Sequence, residues 1–294
     1  MGFKAGFVNI VGRPNVGKST LMNALVGEKL SIITPKAQTT RRRILGIVSD
    51  AQHQIVFSDT PGLIDDPEYK LHHWMNAQVN MALSDADIIV FMTDNRDVLP
   101  AGHALINVLH NTKIPVLIVL NKCDLMQATE IAGLREKWTN LLPNKPVYEI
   151  SARNGSGVDV LQAAIRDLLP EHPAYYDLDE LTDQTERVIA AEIIREKIFL
   201  HYQQEIPYNC EVIVDAYKDK GDILAISAVI YVGRDTHKSI IIGKGGTAIK
   251  QLGIASRQDI ELFAGKKIFL ELFVKVRDNW KNDDRSLRHF GYES

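Results

Sequence analysis

Residues 12–19 read GRPNVGKS and match the pattern G-x-x-x-x-G-K-[ST]. An apolar run that predicts a strand, Gly6–Val11, comes directly before them, and a predicted helix, Lys18–Val26, begins within them. In this setting the glycines allow backbone N–H groups to wrap a phosphate at the helix N-terminus, where the helix dipole attracts the anion. We expect Lys18 to reach the β- and γ-phosphates of a nucleotide and the Ser19 hydroxyl to ligate Mg²⁺. The segment therefore predicts a phosphate-binding loop that opens an α/β domain.

Short apolar runs alternate with amphipathic stretches of helix length from Lys4 to Leu169. This alternation is typical of βαβ units around a mainly parallel sheet, so we predict an α/β P-loop domain over residues 1–169. The predicted strands are Gly6–Val11, Gln54–Ser58, Asp87–Met92, Pro115–Leu120 and Val147–Ile150, and the predicted helices are Lys18–Val26, Lys70–Ser84, Ala101–Asn111, Glu130–Asn140 and Val158–Leu168.

A second domain follows a break in the helical pattern. Pro170 and Pro173 cannot continue a helix, so residues 170–183 are predicted as an interdomain linker. We predict a smaller α+β domain over residues 184–294. Its predicted elements are a helix at Gln184–Gln204, strands at Glu211–Tyr217 and Ile223–Tyr231, two short helices around Gly243–Gly246, and a strand at Lys267–Val276.

Two polar segments are expected to complete the phosphate and metal site. Asp59-Thr60-Pro61-Gly62 follows a predicted strand, which places the Asp59 carboxylate beside the metal and the Gly62 N–H near the γ-phosphate. The segment Lys36–Arg41 has no periodicity, and such a segment can order around a γ-phosphate and relax after hydrolysis. We expect Thr40 to ligate the metal, with Thr39 as the alternative.

The segment Asn121-Lys122-Cys123-Asp124 indicates which base is bound. A carboxylate at Asp124 can accept both the N1–H and the N2 amino protons of guanine, whereas adenine offers neither donor at these positions. Because an unpaired buried polar group is costly, discrimination of order ~10⁴ is expected. Ser151-Ala152-Arg153 follows the last predicted strand, and we expect the Ala152 backbone N–H to bind the O6 atom of guanine.

A second glycine-rich turn, Gly243-Lys244-Gly245-Gly246, lies between two predicted helices. The order α-β-β-α-α-β around it is that of a type II KH domain, whose G-x-x-G loop approaches a nucleic-acid backbone. We expect Lys244 and Lys250 to add positive charge. The apolar residues predicted to form the floor of the groove are Ile241, Ile242, Ile249 and Leu252. The spacing alone indicates single-stranded nucleic acid, either RNA or DNA.

Composition limits the classes of protein that remain. The chain has 294 residues, 45% of them hydrophobic, and a net charge of −3, which suits about two globular domains rather than a disordered chain. The part of the chain from Tyr231 onward contains twelve basic and eight acidic residues, so its net charge is +4 and that of the preceding part is −7. Two cysteines, Cys123 and Cys210, are too few for a disulfide framework. Because no apolar run reaches the ~18 residues of a membrane span, we expect a cytoplasmic protein.

The ordered motifs resemble those of translation-factor-class GTPases, and the chain is similar over essentially its whole length to the Era family of bacterial ribosome-assembly GTPases. The resemblance rests on residues 12–19, Gln38–Arg42, Ser84–Asp87 and the turn at Gly243–Gly246. It implies binding of GTP and GDP, slow hydrolysis, Mg²⁺, and binding of the 3′ end of small-subunit (16S) ribosomal RNA during assembly of the 30S subunit. We expect a monomer. The family is also linked to the inner membrane, so peripheral contact with its cytoplasmic face is an alternative.

Two positions bear on the hydrolysis step. Leu63 stands where small signalling GTPases place a glutamine that orients water. Hydrolysis is therefore expected to rely on positioning and on charge neutralisation by Lys18, Mg²⁺ and backbone amides, with completion by a partner as an alternative. Asn15 stands where related GTPases hold a monovalent cation such as K⁺. Simple loop geometry explains Asn15 equally well, so both readings stay open.

Three other classes of protein compete with this interpretation. They are a P-loop kinase, which the guanine-type motif disfavours; an RNA-binding protein with a non-hydrolysing nucleotide domain, which Lys18, Ser19 and Asp59 disfavour; and a membrane-associated regulatory GTPase, for which no anchor is visible.

The predicted site residues fall into four groups. The nucleotide-binding residues are Gly12, Arg13, Pro14, Asn15, Val16, Gly17, Lys18, Ser19, Thr20, Asp59, Thr60, Pro61, Gly62, Leu63, Asn121, Lys122, Asp124, Ser151, Ala152 and Arg153. The catalytic residues are Lys18, Thr40, Asp59 and Gly62, and the metal ligands are Ser19, Thr40 and Asp59. The RNA-binding residues are Ile241, Ile242, Gly243, Lys244, Gly245, Gly246 and Lys250.

Overall fold

A computed structural model describes residues 2–96, 99–100 and 102–292 of the chain. These residues form two compact units. The first unit holds the chain up to Ser31, Thr40–Asp65 and Met75–Asp183. The second holds Gln184 onward together with two segments from the N-terminal half, Ile32–Thr39 and Asp66–Trp74.

The first unit is built on a six-stranded sheet whose strand order is β2-β3-β1-β4-β5-β6. Only β2 runs antiparallel to its neighbour, β3. The elements in chain order are β1 (Lys4–Val11), α1 (Lys18–Val26), β2 (Ile44–Ser49), β3 (His53–Asp59), α2 (Lys70–Ser84), β4 (Ile88–Thr93), α3 (Ala104–Asn111), β5 (Val116–Leu120), α4 (Ala128–Leu141), β6 (Val147–Glu149) and α5 (Val158–Leu168).

The apolar runs of the sequence explain the central strands. Every residue of β4 and of β5 is buried, which is the burial of parallel strands covered on both faces. The α/β fold and its mainly parallel sheet are confirmed. The strand β2 was not predicted, because it follows a polar loop without a turn signal. The helix predicted from Ala101 begins at Ala104, and Ala101 itself lies outside the described residues.

The predicted linker, residues 170–183, is bonded along the edge of the first unit. The Pro170 carbonyl accepts a hydrogen bond from Ala5 N (3.2 Å), and Leu181 O accepts one from Ile47 N (2.8 Å). The Gln54 side chain accepts from Tyr176 N and donates to Tyr176 O. These bonds fix the segment to the first unit, which ends at Asp183.

The second unit contains a three-stranded sheet in the order β7-β8-β9, in which β8 and β9 are parallel. Its elements are α6 (Glu186–His201), β7 (Cys210–Asp219), β8 (Ile223–Val232), α7 (Asp235–Ile242), α8 (Thr247–Ala264), β9 (Lys267–Val276) and α9 (Asp284–His289). The predicted α-β-β-α-α-β order is present. The second helix after β8 has 18 residues and is not short, because its apolar positions continue to Ile260.

A buried charge cluster joins α6, β7 and the end of the chain. Arg195 is 1% exposed and bonds the Glu192 carboxylate with Nε at 3.0 Å and also with Nη2. Burial disfavours the charge, but Glu192 and Glu211 more than offset this and raise the pKa of Arg195. The Tyr292 hydroxyl donates to Glu211 Oε2 at 2.7 Å. The cluster therefore secures the last described turn to the sheet.

We predict that Tyr292→Phe destabilises the second unit by about 2 kcal/mol, because the buried Glu211 carboxylate loses a charged hydrogen bond. Urea unfolding of the full chain measures the loss. Tyr217→Phe is the matched control, since its hydroxyl bonds Glu186 at the same 2.7 Å in an exposed place and its removal should cost about 0.5 kcal/mol or less. Equal losses in the two variants would contradict the role of the buried cluster.

Candidate functional site

The loop at residues 12–19 packs against Asn121, the residue that directly follows β5. Gly17 has a φ of 104°, and a Cβ atom there would lie 2.3 Å from the Asn121 Nδ2 atom. Only glycine fits both the backbone conformation and this contact. The Lys18 side chain is 6% exposed and folds over the loop, where Nζ donates to Gly12 O (3.2 Å) and Arg13 O (2.9 Å). The loop is therefore formed with its lysine directed into it.

Asn121 connects the phosphate loop to the loop that follows β6. Its Nδ2 donates to Val16 O at 2.7 Å, and its Oδ1 accepts from Ala152 N at 2.9 Å. The Ala152 N–H donates to Asn121 Oδ1 in the structure, which positions the loop after β6. Its predicted bond to guanine O6 stays a prediction.

The side chains beside Asn121 have different environments. Lys122 has a φ of 64°, and its Nζ donates to Asn15 O and to Asp94 Oδ2, both at 2.6 Å. Asp124 is exposed at the surface. Its carboxylate is therefore accessible from solvent to a nucleotide base. Asp94 was not predicted, although its position just after β4 at the carboxyl edge of the sheet is a recognisable signal.

The three predicted metal ligands lie together. Ser19 Oγ and Thr40 Oγ1 are 2.9 Å apart, and Thr40 Oγ1 donates to Asp59 Oδ2 at 3.3 Å. The alternative ligand, Thr39, points elsewhere and bonds Thr34 Oγ1 at 2.6 Å. The structure thus brings Ser19, Thr40 and Asp59 together and leaves Thr39 out of the cluster.

The Asp59 carboxylate has the character of a cation ligand. It is fully buried, and its Oδ1 atom has no hydrogen-bond partner among the described residues. Burial raises the pKa of Asp59, while Lys18 and the hydroxyls of Ser19, Ser31 and Thr40 act in the opposite direction. Carboxylate and hydroxyl oxygens of this kind are the ligands that Mg²⁺ prefers. The residues present therefore fit a hard divalent cation, and Ser19, Thr40 and Asp59 would hold it.

The turn after Asp59 is packed against the phosphate loop. A Cβ atom on Gly62 would lie 2.7 Å from Pro14, so the backbone approaches closely. Leu63 N donates to Gly12 O at 3.4 Å, and the Leu63 side chain packs on the core between the sheet and α3. Because the Leu63 side chain has no polar atom, it cannot orient water as a glutamine would. Arg13 pairs with Asp65 at 3.3 Å.

The glycine-rich turn of the second unit joins α7 to α8. Gly243, Gly245 and Gly246 have φ values of 73°, 60° and 76°, which favour glycine at each position. Lys244 is exposed at the tip. The turn thus presents backbone and one positive charge to the outside, as a phosphate contact requires.

A groove of about 400 Å³ lies between α8 and the edge strand β9. Lys250, Ile254 and Arg257 line one side at helical spacing, and Ile249 contributes an apolar surface. Ile241 and Leu252, predicted to form the floor, are fully buried and support the groove from within the core. The lining residues not predicted are Gly253, Ile254, Arg257, Ile268, Phe269, Leu270 and Leu272. The i, i+4, i+7 spacing of Lys250, Ile254 and Arg257 was the signal for those on α8.

Among the described residues, the longest apolar helical segments fall short of what crossing a bilayer requires.

Comparison with known families identifies both units. The profile of the family described as "50S ribosome-binding GTPase" matches residues 7–122, and the KH domain profile matches residues 205–281. The chain is 43% identical to the GTPase Era of Alkaliphilus metalliredigens over the full length of both proteins. It is 44% identical to the chloroplastic GTPase ERA-like protein of Oryza sativa, over 98% of this chain and 69% of the rice protein.

Two solved structures have the same fold over 99% of this chain, each with a TM-score of 0.94 and 38% identity, and each is covered completely. One is Era in complex with MgGDPNP and nucleotides 1506–1542 of 16S ribosomal RNA. The other is a variant of Aquifex aeolicus Era bound to GDP and AlF4⁻.

We predict that Asp124→Asn lowers the preference for guanine over xanthine nucleotides by about 10⁴-fold, because the amide pairs with a C2 carbonyl in place of the guanine amino group. Competition binding with GDP and XDP measures the change. Since Asp124 is exposed, folding should be unaffected. Asp167→Asn, at another exposed aspartate, is the control. Full retention of GDP affinity with no gain for XDP would show that Asp124 does not contact the base.

Proposed function

The chain belongs to the Era family of GTPases, and we propose that it is a GTP-dependent switch that binds the 3′ end of 16S ribosomal RNA and assists assembly of the 30S subunit. It is a GTPase with a P-loop domain and a C-terminal KH domain. We place it in the cytoplasm, where its RNA partner would be assembled into subunits.

Nucleotide binding would use the loop at residues 12–19 and the base segment at Asn121–Asp124. Lys18 would exchange the carbonyls of Gly12 and Arg13 for phosphate oxygens, which satisfies the buried ammonium group better than neutral acceptors do. Mg²⁺, when bound at Ser19, Thr40 and Asp59, supplies charge neutralisation for the phosphates. No side chain at position 63 can serve as a base, so backbone amides such as that of Gly62 and a cation near Asn15 are the remaining sources of stabilisation.

RNA binding would use the groove between α8 and β9. The relative whose crystal structure contains nucleotides 1506–1542 of 16S ribosomal RNA has the same fold over 99% of this chain. In this chain the groove combines an apolar surface with Lys250 and Arg257 on one face of α8, next to the exposed Lys244. Bases can stack on the apolar surface while the cations contact phosphates, which suits a single strand.

The switch proposal rests on one observation. The segment Ile32–Thr39 belongs to the second compact unit, although it lies in the N-terminal half of the sequence. Lys36 Nζ donates to the Phe199 and Tyr202 carbonyls at the C-terminal end of α6, where the helix dipole favours a cation. The Ile33 N–H donates to Glu196 Oε1 at 3.1 Å. This segment overlaps the segment predicted to respond to the γ-phosphate, Lys36–Arg41, and it ends one residue before Thr40.

The segment Asp66–Trp74 belongs to the same unit. Lys70 bonds Asn282 through its backbone N–H (3.1 Å) and Asp284 through Nζ (2.6 Å). The Lys281 ammonium lies 3.8 Å from the centroid of the Tyr69 ring. One of these segments directly precedes the predicted metal ligand Thr40, and the other follows Asp59 in sequence. Both belong to the unit that would bind RNA, which supports a coupling of nucleotide state to RNA affinity.

We predict that changing Lys244 and Gly245 together to Asp abolishes specific RNA binding, because two carboxylates replace one cation at the phosphate contact. A Cβ atom at Gly245 meets nothing within 4 Å, and aspartate tolerates its positive φ better than most residues, so folding should persist. The measurement is a titration of an RNA spanning nucleotides 1506–1542 at fixed salt. Intrinsic GTP hydrolysis should be nearly unchanged. Wild-type RNA affinity in this variant would exclude the glycine-rich turn as a contact.

We predict that RNA affinity differs by about 5–150-fold between the protein bound to a non-hydrolysable GTP analogue and the protein bound to GDP, with RNA favouring the GTP form. By linkage, RNA must raise the preference for GTP over GDP by the same factor. Lys36→Met should reduce this factor, because it releases the tie to α6. Lys113→Met, at an exposed lysine of the first unit, is the control. Equal RNA affinity in both nucleotide states of the wild type would show that the protein is not a switch.

A further inference from the structure

The Arg43 side chain, which directly precedes β2, donates hydrogen bonds to three other parts of the first unit. Its Nε donates to Ser58 Oγ on β3 at 2.7 Å, and its Nη2 donates to Asn9 Oδ1 on β1 at 3.2 Å. Its Nη1 donates to the carboxylate of Asp85, the residue that follows α2. Because a guanidinium is planar and carries its donors in a fixed fork, these bonds set its orientation. Arg43 therefore joins the start of β2 to β1, β3 and the end of α2.

The polar groups around this guanidinium are largely buried. Asn9 and Ser58 are fully buried and lie opposite each other on β1 and β3, and the Arg43 side chain is 14% exposed. The Asn9 amide nitrogen donates to Asp85 Oδ1 at 2.8 Å and also to Ala82 O in the last turn of α2. A buried acceptor that loses its donor costs free energy, so this layer keeps the guanidinium in place.

The bond to Ser58 closes a ring that contains two of the predicted metal ligands. The backbone runs from Thr40 through two residues to Arg43, whose side chain bonds Ser58. Ser58 directly precedes Asp59. The Thr40 hydroxyl donates to Asp59 Oδ2 at 3.3 Å and completes the ring. The separation of Thr40 from Asp59 is therefore restrained by a side chain that is not among the predicted metal ligands.

Strand pairing alone leaves Thr40 less restrained. The ladder of β2 and β3 begins with the pair of Ile44 and Asp59, four residues after Thr40, and the loop between has neither helix nor strand. A loop that is fixed before its ligand arrives loses less conformational entropy on binding. Groups that support metal ligands from outside the coordination shell also change metal affinity. The Arg43–Ser58 bond is placed to give both effects.

We propose that Arg43 is a positioning residue for the divalent cation site, and that its bond to Ser58 holds Thr40 beside Asp59. This rests on the proposed function, since the cation is the one that accompanies the nucleotide. The ion pair of Arg43 with Asp85 has a different role, because it fixes the end of α2 to the sheet. Substituting the partners of Arg43 one at a time separates the two roles.

The test uses Arg43→Lys and Ser58→Ala in the full chain and follows the release of a fluorescent GDP at buffered free Mg²⁺. Lysine keeps a charge for Asp85, but a single ammonium group lacks the fork that also reaches Ser58. Alanine removes only the acceptor hydroxyl. We expect both variants to raise the Mg²⁺ concentration for half-maximal retention of GDP by about 10-fold. Wild-type midpoints in both variants would overturn the inference.

Asp85→Asn is the matched control. It weakens the ion pair with Arg43 and leaves the Ser58 hydroxyl in place. We expect a lower melting temperature and an unchanged Mg²⁺ midpoint. If the midpoint rose as much as in Ser58→Ala, the attachment of α2 would govern the cation site, and the role assigned to the Arg43–Ser58 bond would be wrong.

A second readout needs neither metal nor nucleotide. In EDTA, the backbone amides of residues 40–43 should exchange hydrogen faster in Ser58→Ala than in the wild type, because the loop loses its attachment to β3. Exchange in the buried strand β5 should be unchanged. Equal exchange of the loop in both proteins would show that Ser58 does not restrain it, which contradicts the proposal.

The outcomes separate the inference from its premise. If wild-type GDP release does not depend on Mg²⁺, the proposed nucleotide and metal site is wrong. If the wild type shows this dependence and the variants at Arg43 and Ser58 keep its midpoint, Arg43 has no positioning role while the proposed function stands.

Discussion

The amide of Asn121 is the contact on which the nucleotide site depends. Its two ends bond the phosphate loop at Val16 O and the loop after β6 at Ala152 N, and its nitrogen fills the space that a Cβ atom on Gly17 would take. Because Asn121 directly follows β5, the sheet itself sets the distance between the two loops. Ligands of open α/β sheets bind at this carboxyl edge. A single buried side chain therefore links the two loops of the binding site at the carboxyl edge of the sheet.

The cluster of Ser19, Thr40 and Asp59 contains a buried carboxylate whose charge is only partly compensated by hydrogen bonds among the described residues. A fully buried carboxylate is unfavourable by itself, and here only one of its oxygens has a hydrogen bond among the described residues. Lys18, also buried, donates to neutral carbonyls of the loop, and its charge acts to lower the pKa of Asp59. The second carboxylate oxygen has no hydrogen bond among the described residues. Such a site favours a ligand that brings charge of both signs, which a metal-bound nucleoside phosphate does.

The candidate site residues that belong to short sequence motifs could be predicted from the sequence. Residues 12–19, Asp59 and Asp124 lie where the pattern requires, and the alternation of strands and helices was enough for the fold class. Contacts between residues distant in sequence could not be predicted in this way. The Ala152 amide is engaged by Asn121, 31 residues earlier, and Ile241 turns into the core although the groove lies beside it.

The adjacent threonines Thr39 and Thr40 could not be distinguished from the sequence, and the structure gives them separate tasks. Thr40 bonds Ser19 and Asp59 and belongs to the first unit, whereas Thr39 bonds Thr34 Oγ1 and the Lys36 carbonyl and belongs to the second. Both side chains are 8% exposed, so neither can leave its place without cost. One peptide bond therefore joins a buried anchor at the metal cluster to a buried anchor in a turn tied to α6. Consecutive Cα atoms lie about 3.8 Å apart across a trans peptide, so the two threonines are adjacent anchor points, one in each unit. The proposed coupling of nucleotide state to RNA affinity would need an arrangement of this kind.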